Sequence, residues 1–437
     1  MYTWTILKSS LRLTDQRHGN GTHYDFTLYR TLLNTITGIY STHDSRLCQP
    51  SPMRTAHIIT RLIIGGAQEN TLFNVDDQHH IHGDEVCLIT GPGLGPEGTL
   101  EQRAIDRGLD LRVLPELRRS LHPWRDAKCY FALKRMLKNY QPDIVHTHSS
   151  KAGILGRRAA LALGIPCVHS IHGAAFHFGQ PAVLQSIYRT AERLADPWCQ
   201  HFITVCDAMS QQYIAAGIGT PDKYTTVFSG MDVDAFLQPH RSRDVVRHEL
   251  GIDNSHVVVG KIARLFNLKG HEYLIEAAPA IVARVPKVRF LFVGDGILKT
   301  QFQNRIAELG LSQHFFFAGL IAPDQVANYM HAMDVVAHTS VWEGLARVLP
   351  QALICGKPIV SYNIDGAPEV CVDGETGCLV PARSIEALSE AIVKLASDAA
   401  LRERLGAAGR QRFAPQFRHE FMTERIREVY ARVLNEK

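Results

Sequence analysis

The sequence predicts an α/β protein built from two doubly wound parallel sheets. Short apolar runs recur along both halves of the chain and alternate with segments whose apolar residues have helical spacing. Such alternation is typical of parallel strands covered by helices on both faces. The chain has 437 residues, of which 45% are hydrophobic and 21% charged. This length exceeds what one hydrophobic core usually holds, so we expect two domains.

The overall composition argues against several functional classes. The formal net charge of +4 is too small to indicate nucleic-acid binding, and no apolar run reaches the length of about eighteen residues expected of a transmembrane helix. Nine cysteines, an odd number without a Cys-x-x-Cys pair, predict a reducing, cytoplasmic location. Residues 1–52 lack periodicity and a signal-peptide core, so we expect a disordered extension or a wrongly assigned start before Met53.

The first half opens with an apolar strand over residues 55–60 and a glycine pair, Gly65 and Gly66, at the start of a helix. Two successive glycines let the backbone approach a ligand closely, and an ordinary tight turn is the alternative. Further elements of the predicted first sheet are strands at residues 85–90, 143–146 and 166–171, with a helix over 151–163.

One histidine stands out among the 22 of this chain. His172 ends the predicted strand over residues 166–171 and precedes a glycine. A neutral imidazole at a strand end could hydrogen-bond a ligand or stabilise positive charge, and a satisfied core histidine is the alternative. His146 and His148 end another strand, where they are candidates for acceptor-side groups. A metal pair is not expected there, because no carboxylate or cysteine ligand is near in sequence.

The second half carries two cations on one predicted loop. Residues 257–264 form a strand that leads into Arg264 and Lys269, followed by Gly270 and a helix. Open α/β sheets bind ligands at the carboxyl ends of their strands, and two cations there suit a diphosphate. A solvated basic pair is the alternative. The strand over residues 289–293 ends in a Gly-Asp-Gly turn at Gly294, which lacks the full fingerprint of a nicotinamide dinucleotide site.

A carboxylate and a glycine lie at the start of a predicted helix in the second half. Residues 334–338 read as a strand, Glu343 and Gly344 follow a polar turn, and residues 345–354 have helical spacing. A helix that starts at Gly344 would direct free N–H groups and its positive dipole end at an anion. Glu343 could accept hydrogen bonds from sugar hydroxyls.

This segment resembles the donor-site signature of family-4, or group 1, glycosyltransferases of the GT-B fold. That signature has a glutamate, seven intervening residues and a second glutamate, whereas this chain has Gln351 eight positions after Glu343. Gln351 keeps an acceptor oxygen but loses the stronger charge-assisted hydrogen bond. The alternative for Gln351 is an exposed helix residue without a role.

The resemblance implies two Rossmann-like domains facing a cleft, and a role for each matching residue. Glu343 and His172 would contact the transferred sugar, and Arg264 and Lys269 would neutralise the leaving diphosphate. Gly344, Leu345 and Gln351 would hold the donor, the last at the ribose. The nucleotide, including its base, would be contacted by Gly294, Gly319, Leu320 and Ile321. The acceptor and a phosphate would lie near Gly65 and Gly66.

The same resemblance implies a division of the chain. After the extension over residues 1–52, we expect an acceptor-side domain over 53–235, a nucleotide-sugar domain over 236–415 and a C-terminal helix over 416–437 that packs back on the first domain. Asp232 and Asp234 have the Asp-x-Asp spacing by which other transferases bind a metal. Their context instead predicts the turn that leaves the first domain.

The predicted activity is transfer of a hexosyl or N-acetylhexosaminyl group from a nucleoside diphosphate sugar, with retention of configuration and no metal or other cofactor. The acceptor is expected to be a glycan, a lipid-linked molecule or a small molecule, as in polysaccharide biosynthesis. A basic, aromatic stretch over residues 118–138 could contact the inner face of a membrane, and a solvated helix face is the alternative. Two rival functions remain: a nucleotide-sugar 2-epimerase of the same fold, and a non-catalytic binding protein.

Overall fold

The computed structural model of this protein describes residues 51–94, 98–176 and 179–436. These residues form two parallel sheets, each covered by helices, so the predicted fold class is confirmed. The predicted extension over residues 1–52 lies almost entirely outside the described residues. The predicted domain boundaries at 235 and 415 stay predictions.

Seven parallel strands form the first sheet. They are β1 (Arg54–Ile59), β2 (Glu85–Thr90), β3 (Asp110–Val113), β4 (Ile144–His148), β5 (Cys167–Ile171), β6 (His201–Thr204) and β7 (Tyr224–Thr226). Their order across the sheet is β3-β2-β1-β4-β5-β6-β7, with every neighbour parallel. Every residue of β4 and β5 is buried, because helices cover both faces of the sheet.

Helices connect these strands and continue into the second half. They are α1 (Gly66–His80), α2 (Glu101–Asp106), α3 (Pro123–Tyr140), α4 (Ser150–Leu161), α5 (Ala182–Ala195), α6 (Asp207–Ala215), α7 (Val233–Leu237) and α8 (Arg243–Glu249). Among the residues of α5, only Glu192 and Ala195 are buried. Most of α5 therefore lies at the surface.

Six parallel strands form the second sheet. They are β8 (Val257–Ile262), β9 (Val288–Val293), β10 (Phe315–Gly319), β11 (Val335–His338), β12 (Ile359–Tyr362) and β13 (Gly377–Val380). Their order is β10-β9-β8-β11-β12-β13. The order reverses between β8 and β11 here, and between β1 and β4 in the first sheet. Ligands of doubly wound folds bind in the crevices at such reversals.

Seven further helices follow in the second half, and all but the last belong to the part of the chain that surrounds this sheet. They are α9 (His271–Arg284), α10 (Lys299–Glu308), α11 (Val326–Ala332), α12 (Val348–Ile354), α13 (Ile385–Ser397), α14 (Ala399–Phe413) and α15 (His419–Asn435). None of the helices in the described ranges is both long enough and apolar enough to cross a bilayer. The eight cysteines that these ranges contain are buried and unpaired.

The last helix returns to the first sheet. Ile426 and Tyr430 of α15 pack in one buried cluster with Met53, Ile144 and other residues of the first half. A buried ion pair also fixes the helix, since the guanidinium of Arg427 donates to both carboxylate oxygens of Asp84, each at 2.8 Å. The last helix therefore packs on the half that contains the first described strand.

Candidate active site

Two loops of the second sheet bring a cation and a carboxylate together. Lys269 follows β8 and Glu343 follows β11, and the Lys269 Nζ lies 2.5 Å from the Glu343 Oε1. Both side chains are about one-fifth exposed, at 23% and 22%. The next residue, Gly270, has a left-handed φ of +70°, and a Cβ there would lie 1.8 Å from the Thr339 carbonyl oxygen. Glycine is therefore required for the Lys269 loop to lie against the Glu343 loop.

Arg264 lies on the same loop, where it is exposed and its guanidinium sits 5.3 Å above the ring of Phe266. Gly294, at the end of β9, supports this loop from below. Its φ is +135°, and a Cβ there would lie 2.2 Å from the Ala263 carbonyl oxygen. The N–H of Gly294 donates to the carbonyl of Gly319 at 2.8 Å, which joins the ends of β9 and β10.

Beyond Gly319, two apolar residues have different environments. Leu320 is 82% exposed, whereas Ile321 packs against the buried cluster of the second half. An exposed leucine at the carboxyl edge of a parallel sheet is available for contact with a flat ligand. The three residues Gly319 to Ile321 thus lie where the sequence predicts the nucleotide base, and that role stays a prediction.

The helix predicted from Gly344 begins later, so that expectation is wrong. The α12 helix starts at Val348, and residues 344–347 are irregular. The physical reason is a competing bond, because the Gly344 carbonyl accepts from the N–H of Gly366 at 3.0 Å instead of from the helix. Gln351 lies on this helix, half-buried. A helix N-terminus at Gly344 therefore plays no part in the site.

Gly344 and Leu345 instead lie at the contact between the two halves. A Cβ on Gly344 would lie 2.4 Å from the Met209 Cε and 3.7 Å from the His172 carbonyl oxygen. Leu345 packs against buried clusters of both halves. The loop that carries Glu343 and Gly344 therefore packs close to the backbone of His172 in the first half.

Arg347, which the sequence analysis did not single out, crosses to the glycine pair of the first half. Its guanidinium pairs with Glu69, and a Cβ on Gly66 would lie 2.8 Å from the Arg347 Cδ. Gly65 precedes α1, and a Cβ there would meet the Gln68 amide oxygen at 2.8 Å. The absence of a side chain at Gly66 thus admits Arg347. The cation immediately before α12 was visible in the sequence, but its partner was not.

His172 is held from behind by a second histidine. Its Nε2 lies 3.0 Å from the Nδ1 of His148, and its Nδ1 is buried without a hydrogen-bond partner among the described residues. Burial and the nearby charge of Arg347 lower the pKa of His172 to about 4. The imidazole is therefore neutral at neutral pH. His146 and His148 are themselves buried, so the expectation that they are acceptor-side groups is wrong.

A buried lysine on the strand that precedes Arg264 and Lys269 was also missed in the sequence. Lys261 lies in β8 and is 1% exposed. Burial and the neighbouring charge of Lys269 lower the pKa of Lys261 to about 7. A charged residue in an otherwise apolar strand was the signal that could have identified it.

Two cavities meet at this site. One of about 600 Å³ is lined by first-half residues that include Thr60, Lys151 and Tyr188, and by Trp342. The other, of about 260 Å³, is lined by Trp342, Glu343 and neighbouring residues. Trp342 borders both, so a ligand on the Glu343 side and a ligand on the first-half side would be adjacent.

The Asp-x-Asp pair lies elsewhere and has structural partners. The Asp232 Oδ1 accepts from the N–H of Ala235 and caps α7. Asp234 forms a bidentate pair with Arg418, with distances of 2.7 and 3.1 Å. These contacts agree with the interpretation of the pair as a turn.

Comparison with known proteins identifies the family of the chain. The family model described as "Glycosyl transferases group 1" matches residues 242–412 of this chain. The family model described as "Glycosyl transferase 4-like domain" matches residues 80–230. A galactosyltransferase of Escherichia coli, named UDP-Gal:alpha-D-GlcNAc-diphosphoundecaprenol alpha-1,3-galactosyltransferase, is 27% identical over 357 residues, which cover 80% of this chain and 90% of that protein.

Other relatives agree with these matches. The capsular polysaccharide biosynthesis glycosyltransferase CapM of Staphylococcus aureus is 25% identical over 74% of this chain and 85% of its own length. The solved structure of Anabaena HepE in complex with UDP covers 87% of this chain and 100% of HepE, with a TM-score of 0.72 and 23% identity. That likeness shows the GT-B fold. The chain belongs to the group 1 glycosyltransferases.

Proposed function

We propose that this glycosyltransferase moves a hexosyl or N-acetylhexosaminyl group from a nucleoside diphosphate sugar with retention of anomeric configuration and without a metal ion. The observation that carries the proposal is the pair of Glu343 with Lys269, whose loop also carries Arg264, together with the approach of Gly344 to His172 of the other half. Two cations are available for a diphosphate, and a carboxylate and a neutral imidazole are available for sugar hydroxyls. The names of the relatives favour transfer over epimerisation or binding alone.

In the proposed reaction, the bond between the anomeric carbon and the diphosphate oxygen breaks while the acceptor oxygen attacks from the same face. The negative charge that grows on the departing diphosphate would be met by Arg264 and Lys269. The acceptor proton would pass to a diphosphate oxygen, so that nucleoside diphosphate and glycosylated acceptor are the products. Glu343 is already paired with Lys269, which favours hydrogen bonding to the sugar over covalent attack on it. Gln351 would hold the ribose.

We further propose a lipid-linked acceptor that approaches from a membrane surface. Apolar side chains on α5 are exposed beside the larger cavity, with Val183 at 73%, Ile187 at 54% and Leu194 at 65% exposure. Tyr188 of the same helix lines that cavity. Asp126 of α3 lines the same cavity, and Trp124 of that helix is 80% exposed in the basic stretch over residues 118–138. Apolar and basic side chains together suit an anionic bilayer surface.

The transfer proposal is tested with a panel of radiolabelled UDP-, GDP- and dTDP-sugars, with and without an undecaprenyl-diphosphate-linked N-acetylhexosamine, in EDTA. We expect transfer from one donor, a product of retained configuration by proton NMR, and activity that persists without divalent metal. Arg264→Ala should lower turnover by about a hundredfold. Arg284→Ala is the matched control, because Arg284 pairs with Glu390, away from the site. An inverted product, or a strict metal requirement, would contradict the proposal.

The membrane proposal has its own test. Flotation with vesicles containing phosphatidylglycerol should recover the wild-type protein, and Ile187→Asp should reduce the recovered fraction severalfold. Ile297→Asp provides the matched control, because Ile297 is 75% exposed in the second half and should leave recovery unchanged. Equal loss in both variants, or no loss in either, would rule out α5 as the contact surface.

A further inference from the structure

Two buried histidines and the half-buried His172 form a continuous chain of hydrogen bonds that ends at the active site. The Nε2 of His172 lies 3.0 Å from the Nδ1 of His148, and the Nε2 of His148 lies 3.1 Å from the Nδ1 of His57. The Nε2 of His57 in turn lies 3.4 Å from the amide oxygen of Gln78. In every pair, the Nε2 of the ring nearer the active site faces the next residue toward Gln78. The three contacts therefore have the same orientation.

Gln78, a buried residue of α1, anchors the far end of this chain. Its amide oxygen accepts from the Thr55 hydroxyl at 2.9 Å, and its amide nitrogen donates to the Asn74 amide oxygen, also at 2.9 Å. These two partners orient the amide so that its oxygen faces His57. An amide oxygen can only accept, and therefore the His57 Nε2 carries a proton. The Tyr430 hydroxyl lies 3.5 Å from this nitrogen but only 2.5 Å from the Nδ1 of His146, so its own proton is directed at His146.

A neutral imidazole has one N–H group and one lone pair, so the tautomer of each ring sets that of the next. With its proton on Nε2, His57 presents a lone pair at Nδ1, and His148 must donate from its own Nε2. His148 then has a lone pair at Nδ1, so His172 must donate to it from a protonated Nε2. Its Nδ1 is then a bare acceptor.

We infer that Gln78, His57 and His148 are positioning residues that hold His172 as the Nε2–H tautomer, with its Nδ1 lone pair free to accept a hydrogen bond from a hydroxyl of the transferred sugar. The sugar contact rests on the proposed function, whereas the tautomer does not. The free Nδ1 has no partner among the described residues, and Arg347, three residues after Gly344, is the charged neighbour of this ring. A donor hydroxyl would supply the missing bond.

Burial keeps the imidazole rings of the three histidines neutral, so each ring has one N–H group and one lone pair. It is the largest cause that lowers the pKa of His57 to about 4 and the pKa of His148 well below its usual range. One ring nitrogen from each of His57, His146 and His148 lies within 4.8 Å of the other two, which is a spacing that a metal ion could bridge. However, all six nitrogens already have protein partners, since His146 bonds Tyr430 and Ser170.

The test is a long-range proton–nitrogen NMR spectrum of the full-length protein labelled with ¹⁵N-histidine, at neutral pH and without ligand. His172→Asn assigns the His172 signals by difference. We expect a protonated Nε2 and an unprotonated Nδ1 for His172, and the same pattern for His148 and His57. A proton on the His172 Nδ1, or different tautomers among the three rings, would overturn the inference. The wild-type spectrum is decisive even where a variant folds poorly, and it requires no activity, so it separates this inference from the proposed function.

Two variants of similar volume test the anchor. Gln78→Met removes the acceptor, and Gln78→Glu keeps one. In Gln78→Met we expect mixed tautomers at His172 and kcat lowered about tenfold, with the KM for the donor nearly unchanged. Gln78→Glu should restore the single tautomer and most of kcat. Unchanged tautomers in Gln78→Met would overturn the inference. Equal kinetic loss in both variants, with the tautomer kept in Gln78→Glu, would show a merely structural role for Gln78.

Discussion

Glu343→Gln should lower the rate of sugar transfer without weakening the binding of the free nucleoside diphosphate. In the structure without ligand, the Glu343 carboxylate pairs with Lys269 at 2.5 Å. The backbone N–H of Glu343 donates to the Asp365 carboxylate at 2.7 Å. The backbone contact survives the substitution, so the loop should keep its position. Only the charge of the side chain is lost.

The size of the effect follows from the two partners of this carboxylate. A hydrogen bond to a charged group contributes about 1.5–3 kcal/mol, so loss of the proposed bond to the sugar should lower kcat about 10- to 150-fold. The pair with Lys269 contributes much less, about 1 kcal/mol or below, because both side chains are about one-fifth exposed, at 23% and 22%. Release of Lys269 toward the diphosphate should leave nucleotide affinity unchanged or raise it by about fivefold at most.

Calorimetric titration with the nucleoside diphosphate and a radiochemical transfer assay measure the two quantities separately. Glu375→Gln is the matched control, since Glu375 pairs with Arg412 on an exposed surface, and it should change neither. Lys269→Met should give the opposite pattern, with weaker nucleotide binding. The reasoning is refuted if Glu343→Gln weakens nucleotide binding as much as it slows transfer, because Glu343 would then act on the nucleotide.

Three further outcomes are expected. Gln351→Glu should tighten nucleoside diphosphate binding by up to about 1.5 kcal/mol, and calorimetry should find no gain with a 2′-deoxyribose ligand. Gly270→Ala should destabilise the fold far more than Gly310→Ala in urea unfolding. Both glycines have a φ of +70°, but only at Gly270 would the added Cβ meet a backbone oxygen, at 1.8 Å. Equal losses of stability in the two variants would contradict this reasoning. Although burial opposes it, the hydrogen bond and charge of Asp77 raise the pKa of His419 above its unfolded value, so this pair stabilises the fold below about pH 6.5 and the gain disappears as pH rises through the folded pKa. His419→Gln should therefore cost about 1 kcal/mol near pH 6 and almost nothing near pH 9, and a cost independent of pH would exclude the ion pair as its cause.

The sequence by itself determined the two parallel sheets and the loops at which the site is built. Strand and helix periodicities are local properties, and helices on both faces of a sheet impose continuous apolar runs such as those of β4 and β5. Gly270 and Gly294 were also informative, because a left-handed or closely approached backbone position admits little else. Loops at the carboxyl ends of neighbouring strands must lie near one another, which brought Arg264, Lys269 and Glu343 to one edge.

Only the tertiary structure decided which of these groups meet and which atoms they use. Lys269 and Glu343 are 74 positions apart, and Arg347 and Glu69 are 278 apart, so no local pattern records either pair. The start of α12 depended on a bond between Gly344 and Gly366, which helical spacing cannot reveal. The tautomer that we infer for His172 depends on Gln78, two histidines away, because a proton on one ring nitrogen is set by whatever the other nitrogen faces.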